Sequence, residues 1–279
     1  MTLIVALACH DAVVMAADSQ ATEMQGGANI GTAVRHGTQK IHTLGSHVLW
    51  AASGSVGIIQ DVADVLDAWA AANPAQVTQP AKRMKPELIK RVVPVVREGY
   101  ANWTEVPGMQ NMPPLTSFLF AGHTGGYRWL LEISENTGGE FKENNGFASL
   151  GSAFNLAAVA AAMVSEYAAP SRELVEGTLL AIRVLETAVQ AAAFGVGGDT
   201  MLAVATKDGA RIYDPSEVRE VQDRVATWRQ LETETLAEVI GKPATALVAD
   251  AAGAGGAVAE AAAAAPGPAT ARPDTVVPA

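Results

Sequence analysis

The chain has 279 residues, 49% of them apolar and 17% charged, so a sizeable core can form. Nineteen basic and 29 acidic side chains leave a formal net charge of -10, which opposes non-specific attraction to nucleic acid, and no dense Lys/Arg patch offsets it. The single cysteine, Cys9, excludes a disulfide framework within the chain and a four-cysteine zinc site.

The chain opens on an apolar run, residues 2 to 9, that reads as a strand. As a signal segment it lacks a positive n-region and has only about seven apolar residues before Cys9, so it argues against export or lipidation. A cytoplasmic, reducing location fits. His10 and Asp11 interrupt the run, and Ala12 to Asp18 reads as a second strand. Continuous apolar runs of this length suit strands covered on both faces. Residues 19 to 38 are polar, with glycines at 26 and 27, and read as a loop. Short strands follow at Lys40–Thr43 and His47–Ser53, joined by a turn at 44–46.

Gly54 to Gly57 bends the chain into a helix whose apolar face carries Ile58, Val62, Val65, Leu66 and Trp69, with Asp61 and Asp64 opposite. A second helix is expected from about Pro86 to Tyr100, kinked or split at Pro94. Residues 101 to 115 read as a loop. Thr116–Gly122 and Tyr127–Ile133 form a hairpin around His123-Thr124-Gly125-Gly126, and a polar loop leads to Phe147. Gly151-Ser152-Ala153 opens a third helix reaching about Tyr167. Pro170-Ser171 announces a fourth, with Glu173 at its positive end, Leu174, Leu185 and Val189 on its dry side, and Gly195, Gly197 and Gly198 ending it. Strands at Thr200–Thr206 and Ala210–Tyr213 follow, then an amphipathic helix over 216–240 with Val218, Val221, Val225 and Trp228 as its stripe. No segment offers a membrane span of some twenty apolar residues.

The order is strands, two helices, strands, two helices, strands. Paired helices between antiparallel segments point to an α+β fold with two stacked sheets and helices outside, not the alternation of a nucleotide-binding domain. One domain is expected over 2–240, including the helix 216–240. Residues 241–279 are rich in Ala, Gly and Pro and poor in large side chains, and read as a disordered tail.

Two stretches carry a family likeness: MTLIVALACHDAVVMAADSQAT and QKIHTLGSHVLWAASGSVGIIQDV. They resemble the opening of a proteasome β subunit or its bacterial relatives. The resemblance returns at Gly151-Ser152-Ala153 and at GGDTMLAVATKDG, residues 197–209. It implies a four-layer αββα sandwich of the N-terminal-nucleophile type and a threonine peptide hydrolase acting on peptides or unfolded protein. It also implies stacked homo-oligomeric rings, with an ATPase as a possible partner. An inactive structural ring subunit, or an acyltransferase using the same nucleophile, stays open as an alternative.

Residue by residue, the resemblance makes Thr2 the nucleophile once Met1 is removed, its amine serving as base for its own hydroxyl. A threonine side chain is small enough to permit that removal, so no long propeptide is required. Asp18 ends an apolar strand, and a carboxylate buried there needs a polar partner; Lys40, which matches the family's lysine, is the expected one. Lys40 would also lower the cost of an alkoxide at Thr2. Gly54 matches the glycine whose amide serves the oxyanion, and Ser152 a serine in a Gly-Ser-Gly-like turn, with Ala153 for the second glycine. Ala21, Ala52 and Val56 align with substrate-pocket positions. Ala193 and Val196 stand where the family has an aspartate and a serine, and neither can hydrogen-bond the terminal amine; Asp199 lies about three positions too late. No cofactor is implied. The histidines form no HExxH arrangement, so no metal site is expected. Cys9 and His10 are strand neighbours facing opposite ways and make no catalytic pair.

Overall fold

The computed structural model describes residues 2–24, 31–35, 37–105, 115–134, 138–142, 146–165, 172–191 and 196–241. Residues 241–279, read as a tail, lie outside that set beyond Gly241, as do Pro170, Ser171, Ala193 and Gly195. The chain divides into two compact units, Met1–Ala226 and Thr227–Ala279.

The first unit holds two five-stranded antiparallel sheets. One runs β10 (Phe147–Gly151), β1 (Leu3–Ala8), β2 (Ala12–Asp18), β11 (Thr200–Thr206), β12 (Gly209–Ile212). The other runs β5 (Ile41–Leu44), β6 (Val48–Ser53), β7 (Ser117–Thr124), β8 (Tyr127–Ser134), β9 (Glu140–Phe141). Their facing sides share one core: Ile4, Val13, Met15 and Ala17 meet Ile41, Leu49, Leu119 and Leu130. The far face of the second sheet carries Trp50, Phe118, Phe120 and Trp129, covered by α1 (Val56–Ala72) and α2 (Ala81–Thr104). The far face of the first sheet is covered by α4 (Leu174–Ala191), with α3 (Phe154–Ser165) beside it. The result is the expected αββα sandwich. It explains why β1 and β2 are apolar without alternation: both of their faces are inside.

Helix α1 buries Ile58, Val62, Leu66 and Trp69, close to the expected stripe, while Val65 is 37% exposed and falls outside it. Helix α2 departs from expectation. It begins at Ala81 and runs unbroken through Pro86 and Pro94. Met84, Leu88, Val92, Val93 and Val96 are all buried on one side, and that packing outweighs two missing amide donors.

The expected loop over 19–38 contains a two-stranded hairpin, β3 (Ala21–Met24) and β4 (Gly31–Arg35), with a register shift between Glu23 and Met24. The residues between the polar loop that leads to Phe147 and the third helix form a strand that was not expected: β10 pairs with β1 from Leu3 opposite Gly151 to Leu7 opposite Phe147. Cys9 is 1% exposed and lies against Gly177 of α4. Burial pushes its thiol up to about 11, partly offset by Arg172, so it is a packed side chain and not a reactive one.

Helix α5 (Pro215–Gly241) follows β12, its start capped by Asp214, which accepts the Ser216 and Glu217 amides. Val218 and Val225 are buried. In the second unit the described residues are helical, and Leu231, Leu236 and Ile240 are exposed.

Candidate active site

The C-terminal end of β2 delivers Asp18 to a position where it is 2% exposed. A carboxylate there must be fully hydrogen-bonded, and three donors meet it. Lys40 Nζ donates to Oδ1 at 2.6 Å and the Leu3 amide donates to the same oxygen at 2.8 Å. The Gly197 amide donates to Oδ2 at 3.1 Å.

Lys40 stands one residue before β5 and is 6% exposed. Its ammonium donates a second time, to the Gln20 carbonyl at 2.5 Å, and its amide meets Met201 Sδ at 3.4 Å. Burial lowers its pKa from that of an exposed lysine, with the charge and hydrogen bond of Asp18 pulling the other way. The expected Asp18–Lys40 pair is present, and it ties the end of β2 to the segment that leads into β5.

The Leu3 amide belongs to the peptide bond that Thr2 opens. Asp18 therefore grips the backbone one bond from the Thr2 carbonyl. Gly151 crowds that carbonyl from the other side. Its φ is +103°, and a Cβ built there would sit 1.8 Å from the Thr2 oxygen. Only glycine leaves room for so close a backbone approach. Thr2 itself is half-buried at the start of β1. Leu3 is opposite Gly151, and Ser152 follows in the turn at the same end of the sheet as Thr2, where it is exposed.

Gly54 follows β6. Ile41 is opposite Ala51, so Lys40 lies near Ala52, and Gly54 comes two residues later in the turn that ends β6. Its φ is +134°, and a Cβ would meet the Leu115 carbonyl oxygen at 2.5 Å and Thr116 Cα at 2.6 Å. The next amide, of Ser55, donates to Thr116 Oγ1 at 3.2 Å, and the Tyr100 hydroxyl accepts the Thr116 amide at 2.7 Å. The turn around Gly54 is thus held from two directions.

Thr2, Asp18, Lys40 and Ser152 share one end of the sandwich, with Gly54 in the turn that follows β6, the strand paired with β5. Val196, half-buried, precedes the Gly197 that bonds Asp18, and Asp199 is exposed. Ala52 is buried, Val56 is 58% exposed, and for Ala21 only the backbone in β3 is described. Residue-by-residue reading missed the Gly151 approach, the Gly197 donor and the Ser19 hydroxyl. Ser19 is 2% exposed beside Asp18, with no partner for Oγ among the described residues. The first two were findable by asking which donors a buried Asp18 would require.

His42 stacks on Trp50 with ring centroids 4.4 Å apart, and burial lowers its pKa against the opposing charge of Asp67. It belongs to the packing of the second sheet. Among the described residues, no group of three or more His, Cys, Asp or Glu is arranged to hold a metal ion.

A model of the proteasome subunit family matches residues 2–204. The chain belongs to that family. The matched span takes in every strand of both sheets up to β11 and all of the site just described. Among curated proteins no match was found. As a proteasome-type subunit, the chain belongs with proteins that form ring-type oligomers. Among its described residues no helix is long and apolar enough to cross a membrane.

Proposed function

We propose that this proteasome-type subunit is a threonine peptide hydrolase acting through Thr2 after Met1 is removed, within a homo-oligomeric stacked ring in the cytoplasm. The observation that carries the reading is the Asp18 carboxylate, which holds Lys40 on the same oxygen that holds the Leu3 amide. One buried anion thereby fixes both the cation and the backbone of the residue that would attack.

In this mechanism the Thr2 amine takes the proton from Oγ1, directly or through one water. Oγ1 attacks the carbonyl carbon of the scissile peptide, and the Gly54 amide donates to the oxygen as it becomes negative. The Lys40 ammonium stabilises the developing alkoxide and sets the field in which the Thr2 amine stays neutral. The amine returns the proton to the leaving nitrogen as the peptide C–N bond breaks, leaving an ester on Thr2. Water, deprotonated by the same amine, then cleaves the ester. Ser152, in the turn after Gly151 at the same sheet end as Thr2, is the side chain proposed to orient that amine or water. Peptides or unfolded chains are the substrates, and an ATPase that feeds them is the partner class this geometry would serve.

The test is intact mass of the assembled protein together with labelling by an electrophilic β-lactone peptide. Loss of the Met1 mass and one adduct per chain on Thr2 are expected; retained Met1 overturns the mechanism. Thr2→Ala should lose hydrolysis by on the order of 10⁴-fold or more, since nucleophile and catalysis vanish together, with an unchanged melting temperature.

The pH profile is a second check. The Thr2 amine must be neutral and the Lys40 charge disfavours its protonation, so the acid limb should fall below the α-amino value of about 8. Lys40 must stay charged, and its pKa lies below the usual 10.5, so activity should decline at a pH below 10.5. The linked stability has the opposite sign. The folded chain releases this proton first, so between the lowered value and 10.5 the Lys40 contribution rises with pH. An alkaline limb at or above 10.5 would remove Lys40 from the mechanism.

A structural, inactive ring subunit is the second reading, and Val196 favours it, since its side chain offers no hydrogen bond where the family has a serine. Met1 lost but no adduct on Thr2 would select it.

A further inference from the structure

A cavity of about 620 Å³ opens at the other end of the sandwich from Thr2, beyond the C-terminal end of β1. The length of β1 puts it roughly 20 Å from the Asp18–Lys40 pair. Three separate elements wall it: the β1–β2 turn with His10, the start of α2 with Lys82, and the β7–β8 hairpin with His123, Tyr127 and Arg128. Apart from Tyr127, each ionisable side chain on this wall is basic, in a chain whose net charge is -10. Asp11, beside His10, turns away and accepts the Leu174 amide of α4 at 2.9 Å.

The wall is held in place. Arg128 donates to the His10 carbonyl at 3.1 Å, and the His10 amide donates to the Arg172 carbonyl at 2.7 Å. At the cavity floor, the buried Trp129 indole donates to Thr124 Oγ1 at 2.9 Å. Arg128 is therefore positioned before any ligand arrives, and a site of this volume suits a small molecule. Lys82 lies in the first turn of α2, which has no acidic residue and no side-chain cap. Its charge adds to the positive helix end, and an anion would relieve that repulsion. Tyr127, 76% exposed at the rim, offers an open aromatic face.

We propose that this cavity binds a small phosphate monoester carrying a planar aromatic body, of which a nucleoside monophosphate is representative. Arg128 and Lys82 hold the phosphate, Arg128 by its planar fork and Lys82 as a point charge. Tyr127 stacks on the planar body, and the two histidines complete a wall without carboxylates. The site is separate from Thr2 and does not depend on peptide hydrolysis.

Titration calorimetry of the full-length assembled protein at low salt tests this, with AMP, adenosine and inorganic phosphate as probes. AMP should bind with an affinity that falls as salt rises, and adenosine should bind at least about tenfold more weakly. Arg128→Ala and Lys82→Ala, both at exposed positions, should each weaken AMP by about tenfold or more at an unchanged melting temperature. Tyr127→Ala should weaken AMP and leave inorganic phosphate unaffected. Thr2→Ala should bind AMP as the parent does. Absence of AMP binding, AMP affinity unchanged in both Arg128→Ala and Lys82→Ala, or preference for an acidic peptide over AMP overturns the proposal.

Discussion

Lys40→Met is expected to lower kcat/KM for peptide hydrolysis by about 10³-fold and to destabilise the fold by about 3 kcal/mol. The two effects have different origins. The catalytic loss follows from removing the only cation bonded to Asp18 among the described residues, at the point where an alkoxide would form. The stability loss follows from leaving a carboxylate that is 2% exposed without its counter-charge. Two amides, of Leu3 and Gly197, remain on Asp18 and hold the loss below that of a bare buried charge. The double variant Asp18→Asn/Lys40→Met separates the effects. Its new carboxamide is neutral and its oxygen still accepts the Leu3 amide, while its NH2 faces the Gly197 amide and cannot accept from it, so part of the stability should return, as when a buried ion pair becomes a neutral one. Activity should not return. Chemical denaturation and steady-state kinetics on the parent and both variants read both quantities. Near-parental activity in a folded Lys40→Met protein would end the catalytic role.

The buried ion pair was legible because its chemistry is local to each residue. An aspartate closing a seven-residue strand whose every residue is buried must find a donor, and a lysine opening a strand is a natural one. The strands β1 and β2, the two covering helices after β6 and the hairpin β7–β8 were legible for a related reason: long apolar runs and a 3.6-residue stripe leave few alternatives. The hairpin β3–β4 was not, because a strand pair in polar sequence has no apolar alternation to betray it. Strand β10 was hidden for another reason. Its five residues end in glycine and look like a helix lead-in until β1 is known to need a partner. Helix α2 shows tertiary packing overriding a local penalty, since five buried apolar side chains keep it continuous through Pro94. Gly151 and Gly197 lie in motifs that were noticed. Their contacts with Thr2 and Asp18 are between residues 149 and 179 positions apart, and pairing at that separation cannot be read from spacing.

Gly151→Ala should produce the other large effect, through backbone alone. The new Cβ would fall 1.8 Å from the Thr2 carbonyl oxygen and 2.5 Å from its carbon. Both atoms are main chain, so no side-chain rotamer can relieve the overlap. The backbone must also hold φ at +103°, where an L side chain is strained. Strain and overpacking together should cost about 2–4 kcal/mol of stability. The cheapest relief is for β10 to move away from β1 at the Leu3–Gly151 pair, or for Thr2 to move. Either shifts the Thr2 hydroxyl, the proposed nucleophile, relative to Lys40 and Gly54, and a displacement of about 1 Å there should reduce kcat by about 10²-fold. Gly138→Ala is the control. Its φ is +59°, with nothing within 4 Å of the added Cβ. It should carry the backbone penalty, about 1 kcal/mol, and leave kcat unchanged. The decisive comparison is kcat measured well below each variant's melting temperature, on protein whose Met1 removal has been verified by mass. Equal kcat for Gly151→Ala and Gly138→Ala would mean that the close approach of Gly151 serves strand pairing and does not position Thr2.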